Sequence, residues 1–297
     1  MVISVLSGKG GTGKTTVVAA LSELAKNVIK VDCDVDAPNL YLFYKGMDVE
    51  KKNFYGDKKA KINKSQCIEC EICEEVCKFG AIKNCEIDPF SCEGCGACSL
   101  VCPQNAIKLV DEKTADTFIT KTNKGIISRA MMGIGSDGSG KLVTELRKNA
   151  KRFTEDNSMV ILDGSPGIGC SVIASITETD IALIVTEPTK SGLDDLKRIL
   201  ELAEHFKTQV MICVNKYDIN PEMTFQIESF AREKNLFVVG KIPFDPLVMK
   251  SVNTLKPITE FAESPARKAT LEMWVRMNNL MKKIIIGGIK DEYSSSK

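Results

Sequence analysis

A run of glycines with two lysines, Gly8-Lys9-Gly10-Gly11-Thr12-Gly13-Lys14-Thr15, has the types and spacing to hold phosphate. It fits G-x4-G-K-[ST], in which backbone N–H groups close around phosphate oxygens and a lysine reaches the β- and γ-phosphates. The following hydroxyl ligates Mg²⁺, and the helix that opens there adds a favourable dipole. On this reading Gly8, Lys9, Gly10, Gly11, Thr12, Gly13, Lys14, Thr15 and Thr16 hold a nucleotide, and Thr15 meets the metal. A near repeat, Gly135 to Leu142, puts leucine where the hydroxyl belongs and has no clear strand before it; it reads as a loop and helix start.

The second group is cysteine. Nine of the 12 lie between Cys67 and Cys102. Cys-x2-Cys-x2-Cys-x3-Cys occurs at 67, 70, 73, 77 and again at 92, 95, 98, 102, the spacing of two-cluster ferredoxins. The two runs superpose with a shift of about 25 residues, so the block is a duplicated unit. In this pattern the fourth ligand crosses over. One [4Fe–4S] cluster is expected on Cys67, Cys70, Cys73 and Cys102, the other on Cys92, Cys95, Cys98 and Cys77. Pro103 follows the last cysteine as the pattern wants, and Lys78 departs from it. Zinc also suits four cysteines, but two complete runs favour clusters. Cys85 lies outside both runs and reads as structural or spare; Cys33 and Cys213 fall in or beside strands and read as core.

The elements around these groups alternate. Apolar runs at 1–6, 28–31, 159–162, 181–185, 210–214 and 236–242 read as strands, and 115–130 as extended structure. Helical periodicity covers 14–26, 141–152, 192–205, 222–234 and 266–286, with 45–66 as a polar linker and 287–297 as a loose tail. His205 ends a helix in a solvated or capping role. The fold expected is α/β, a mostly parallel sheet with helices on both faces, plus a small inserted α+β ferredoxin-like domain. The division is 1–61 and 111–297 for the nucleotide domain and 62–110 for the insert. Hydrophobic content of 43% and charged content of 27% place the chain among globular proteins rather than disordered ones. A net charge of +1 gives no general field for nucleic acid. The N-terminus lacks a signal peptide's basic region, and no apolar stretch of about 18 residues spans a bilayer. A cytoplasmic protein is expected, in which thiols stay reduced and ligate metal.

Lys9, directly after the first glycine, makes the loop a deviant Walker A, and here the sequence resembles the MinD/ParA/Mrp group of P-loop ATPases, which includes the nitrogenase iron protein. The resemblance implies that Lys9 reaches across an ATP-dependent homodimer to the partner's phosphates. Val31 to Asn39 is similar to the first switch, with Asp34 positioning the attacking water and Asp36 a neighbouring candidate. Ile161 to Gly167 is similar to the second switch, with Asp163 near Mg²⁺. Asn215, Pro243 and Asp245 stand in loops that resemble the base-binding loops, Asn215 on the adenine amino group. Asn215-Lys-x-Asp218 is also a guanine-reading motif, so GTP stays open beside ATP. Lys9, Lys14 and Asp34 are then the catalytic residues.

Cys170 falls near a cluster-ligating position of the nitrogenase iron protein, but its second partner cysteine has no match here; it reads as a buried structural thiol. The C-terminal helix, which binds membrane in MinD, is expected to pack on the sheet. The function implied is an ATP-hydrolysing switch that couples nucleotide state to electron transfer, or to iron–sulfur or metal-cofactor assembly, on a redox or metalloprotein partner. The alternative is a positioning or regulatory ATPase with redox-sensing clusters.

Overall fold

The structure, a computed structural model, describes residues 1–136 and 139–287. The expectation for 287–297 lies, beyond Gly287, outside the described residues. In chain order the elements are β1 (Val2–Ser7), α1 (Lys14–Leu24), β2 (Val28–Asp32), β3 (Gly46–Ile62), α2 (Ile72–Val76), β4 (Ile82–Lys83), β5 (Glu86–Ile87) and α3 (Ala97–Val101). There follow β6 (Ile107–Thr122), β7 (Gly125–Met132), α4 (Gly140–Lys151), β8 (Met159–Pro166), α5 (Cys170–Ile176), β9 (Ile181–Thr186) and α6 (Lys190–His205). The chain closes with β10 (Gln209–Asn215), α7 (Pro221–Glu233), β11 (Phe237–Ile242), α8 (Pro246–Asn253) and α9 (Pro265–Gly287).

Nine strands form one sheet in the order β11-β10-β9-β1-β8-β2-β7-β6-β3. From β11 to β7 every pair is parallel; β6 runs antiparallel to β7, and β3 antiparallel to β6. Alternate residues of the central strands serve opposite faces. Leu183 and Val185 of β9 face the core that holds α1 and α9, and Ala182 and Ile184 face the one that holds α6 and α7. A third core lies under α4, with Leu142, Val143 and Leu146 against Ile29, Val31 and Leu162. Each fully buried Leu or Ile contributes about 1.5–3 kcal/mol, so these faces fix the register of the sheet. In α9, Met273, Met277 and Met281 are buried at helical spacing against the sheet, as expected for a packed last helix. Among the described residues no helix is long and apolar enough to cross a membrane.

The expected linker at 45–66 is a strand instead. β3 pairs with β6 from Gly46↔Thr122 to Ile62↔Ile107, with bulges between Asp48 and Glu50 and around Tyr55. Only Ala115–Thr122 of β6 also pairs with β7, so the rest of the ribbon projects past the sheet and carries the cysteines at its far end. A strand also precedes the near repeat at 135–142, contrary to expectation. Ser139 caps α4 there by accepting from the Leu142 N–H at 3.3 Å, and Asp137 and Gly138 lie outside the described residues.

Candidate functional site

The loop from Gly8 to Gly13 joins the end of β1 to the start of α1, where a parallel sheet opens its ligand crevice. Gly13 takes φ 88° as it enters the helix, and a Cβ there would overlap the Asn215 side chain. The loop borders a cavity of about 790 Å³ that also touches Thr15, Thr16, Asp34, Asp36, Asn215 and Pro243. Its far end is apolar, with Phe244, Val248, Met249 and Val252, which suits a flat base, while the loop suits the phosphates.

Lys14 stands on the floor of this cavity and is 5% exposed. Its Nζ donates to Asp163 Oδ1 at 2.6 Å and lies 3.6 Å from Asp34 Oδ2. Burial works to lower the pKa of the ammonium, but Asp163, Asp34 and Asp32 outweigh it and hold it above the ordinary lysine value. Burial raises Asp34, against the pull of Lys14. Asp32 is fully buried beside Asp163; burial first and that neighbour second push it up to about 8. One oxygen of Asp32 accepts from the Leu40 N–H at 3.1 Å. Its Oδ1, the Asp163 Oδ2 and the Thr12 hydroxyl are buried without a hydrogen-bond partner. A buried carboxylate oxygen beside an unfilled crevice is the environment that Mg²⁺ and its waters satisfy, so Asp163 and Thr15 fit the metal of a bound nucleotide.

Lys9 sits at the rim with its side chain 41% exposed, 3.3 Å from Ser191 Oγ and 3.9 Å from Glu187. Lys216 holds the same Glu187 at 2.5 Å. The sequence signal here is the resemblance of Val185 to Thr189 to a strand end of Mrp-type proteins, which gives neither Glu187 nor Ser191 a role. Asn215 differs from expectation in its bonding. Its amide nitrogen donates to the Thr12 carbonyl at 2.7 Å and its oxygen accepts from the Lys216 N–H at 3.0 Å, so it braces the loop. Asp245 also borders the cavity, and its carboxylate is bonded within the protein. Its Oδ1 caps α8 through the Leu247 N–H at 2.9 Å, and its Oδ2 accepts from Ser264 and from the Ala266 N–H at 3.2 Å. Both oxygens are engaged within the protein, so Asp245 anchors the base loop at the edge of the cavity.

At the ribbon's end the two cysteine runs fold as repeats. Cys67, Cys70, Cys73 and Cys102 line one small cavity, and Cys77, Cys92, Cys95 and Cys98 line the other, the crossed sets that the spacing predicts. The crossing residues have equivalent bonds: Cys77 Sγ accepts from the Ala81 N–H at 3.4 Å and Cys102 Sγ from the Ala106 N–H at 3.3 Å. N–H bonds to sulfur stabilise thiolates that carry a cluster's charge. Gly94 lets the second loop lie against the ribbon, since a Cβ there would overlap the Lys58 carbonyl; Lys59 adds a bond to the Cys92 carbonyl at 2.6 Å. Among the described residues no three His, Cys, Asp or Glu close on a single metal ion. The donor set, eight thiols in two crossed groups of four, fits two [4Fe–4S] clusters in its chemistry. Burial pushes up the Cys73 thiol to about 11 and raises that of Cys98.

Outside the module, Cys33 and Cys213 are core, as expected, each pushed by burial to about 12. Cys170 is exposed, not buried, because it opens α5 directly after Gly167-Ile168-Gly169 on the surface.

Comparison with known proteins follows the same lines. The profile of the CobQ/CobB/MinD/ParA nucleotide binding domain matches residues 3–258. An uncharacterised protein of Methanocaldococcus jannaschii is 35% identical over 232 residues, 74% of this chain and 79% of that one. An iron–sulfur cluster carrier protein of Pyrococcus horikoshii is 24% identical over 311 aligned positions, 97% of this chain and 89% of the other. The septum site-determining protein MinD of Pyrococcus horikoshii, solved with Mg-ADP, shares the fold with a TM-score of 0.59 at 20% identity, covering 94% of this chain and 96% of that one.

Proposed function

The chain belongs to the CobQ/CobB/MinD/ParA nucleotide-binding family and is a P-loop ATPase, and on that footing we propose that it couples ATP hydrolysis to two [4Fe–4S] clusters, for electron transfer or for iron–sulfur or metal-cofactor assembly on a partner protein. The observation that carries this reading is the β3–β6 ribbon, which roots beside the first switch and ends in the cysteine module. The segment after Asp34 is fastened to that root. Arg129 of β7 lies 4.5 Å from the Tyr41 ring and makes two bonds to the Asp48 carboxylate of β3, at 2.9 and 2.7 Å. On the other side, the Lys141 side chain of α4 reaches the Gly56 carbonyl of the ribbon at 3.2 Å, and α4 packs on α5, which follows the second switch. A change at either switch thus meets the ribbon through packed elements.

In this reading the loop N–H groups and Lys14 hold the β- and γ-phosphates, and Thr15 and Asp163 hold Mg²⁺. Asp34 orients the attacking water. Lys9, held only at the rim, swings to the phosphates of a second copy in an ATP-dependent homodimer and stabilises charge there as an arginine finger does. The clusters supply one-electron chemistry or cluster cargo when bound. The similarity to a cluster carrier along nearly the whole chain supports a role in cluster handling.

The test is steady-state ATP hydrolysis on anaerobically purified protein, with clusters oxidised, reduced and removed. The expected result is a rate that changes with cluster state and falls about a hundredfold or more in Lys9→Ala. Equal rates in all three states would overturn the coupling; an unchanged Lys9→Ala would overturn the shared dimer site.

A further inference from the structure

Four sulfurs line one of the cysteine cavities, and five line the other. The fifth is Cys85, 3% exposed, which shares its cavity with Cys67, Cys70, Cys73 and Cys102. Its thiol opens on the same small space as those of Cys67 and Cys73, close enough for the three to perturb one another. The repeat gives it no counterpart: a shift of about 25 residues leads to Val110 on the ribbon, and the second cavity has only its own four.

The position of Cys85 is unusual in its backbone. β4 and β5 form a hairpin with the two-residue turn Asn84-Cys85, at φ 49° and 56°. Such a turn favours Asn-Gly, because its second residue needs a left-handed backbone. A cysteine there is strained in a way that glycine would not be. The turn is also pinned. The Asn84 N–H donates to the Glu74 carboxylate at 3.0 Å, and Glu74 sits on α2, the helix that carries Cys73. A strained, buried thiol is thereby held against the first cysteine run.

Resting on the two-cluster reading above, we propose that Cys85 is a fifth, exchangeable thiol ligand of the first cluster site, able to take the place of Cys67 on iron. Of the two thiols that perturb Cys85, Cys67 is partly exposed and Cys73 buried, so Cys67 is the ligand that an incoming group displaces first. The exchange is a ligand substitution without electron transfer. The Cys85 thiol gives up its proton as its sulfur bonds iron, and the departing Cys67 thiolate takes one up. The first cluster can then open a protein ligand without leaving an iron bare, whereas the second cannot. The two sites divide into a labile one and a fixed one.

The experiment uses the full chain, reconstituted anaerobically with ferrous iron and sulfide, and reads iron content and the EPR spectrum of the reduced protein. Wild type is expected to hold about eight irons per chain. Cys67→Ala keeps about eight, with an altered EPR signal, because Cys85 fills the gap. The double variant Cys67→Ala/Cys85→Gly falls to about four, and so does Cys92→Ala, whose cavity has no spare thiol. Glycine is chosen because it relieves the turn. A fall to about four in Cys67→Ala alone overturns the proposal. Should that variant misfold, Cys85→Gly alone decides. Loss of half its iron to a chelator is expected to speed up about tenfold, and unchanged kinetics overturn the proposal. Wild type that takes up no iron removes the two-cluster reading itself, a different failure from the loss of one cluster in Cys67→Ala.

Discussion

At the nucleotide floor Lys14 is already paired with Asp163 at 2.6 Å, and α1 and β8, which carry these residues, are packed in large apolar cores. The cysteine module has a core of seven buried residues, Ala60, Cys73, Ala81, Ile82, Cys92, Cys98 and Ile107, and three of them are cysteines. One site is shaped by the protein and waits for its ligand. The other uses ligand atoms as packing, so its shape and its occupancy are linked. A crevice and a cysteine-lined module in one chain can thus differ in what holds them together.

Iron removal tests that contrast most strongly. Chelation is expected to abolish amide protection across 63–106 in hydrogen exchange while β1, β8 and β9 keep theirs; protection that survives in the module would show that its small core suffices. Lys14→Ala should act on the other side. It leaves Asp163 buried without its counter-charge and costs about 3–5 kcal/mol in chemical denaturation, with iron content unchanged. A cost under about 1 kcal/mol would mean that water or a proton replaces the lysine. A smaller effect follows from Asp32. Unfolded, its carboxyl titrates near 3.8; folded, it sits at about 8, so the native state binds the extra proton between these values. Stability of the nucleotide-free protein therefore falls as pH rises through that window, and Asp32→Asn flattens the slope. A slope unchanged in Asp32→Asn would place the proton elsewhere on the floor.

Much of the site was legible because it is local in sequence. The phosphate loop spans eight residues from Gly8 to Thr15, and each cysteine run is written within eleven. The parallel strands were legible from apolar runs buried on both faces. What escaped depends on partners distant in the chain. β3 is rich in lysine and open to solvent over most of its length, so it shows no buried face; only its ladder with β6, more than 40 residues away, makes it a strand. The anchoring bonds of Asp245 escaped because their partners, Ser264 and Ala266, lie at the start of α9. The β4–β5 hairpin went unseen because a cysteine occupies the turn position where glycine is the usual sign.

The projecting ribbon also has a mechanical consequence. Residues 107–114 and their partners extend about 25 Å beyond the last strand that supports them. The bulges around Tyr55 lie close to where that support ends, which makes them the natural place to bend. A tilt of about 5° at that point would displace the cysteine end by about 2 Å, using strand rise alone as the length of the arm. Electron tunnelling weakens exponentially with distance. On the electron-transfer reading, a cantilever of this length would turn a rotation too small to disturb the nucleotide sheet into a change of gap large enough to open or close a conducting contact.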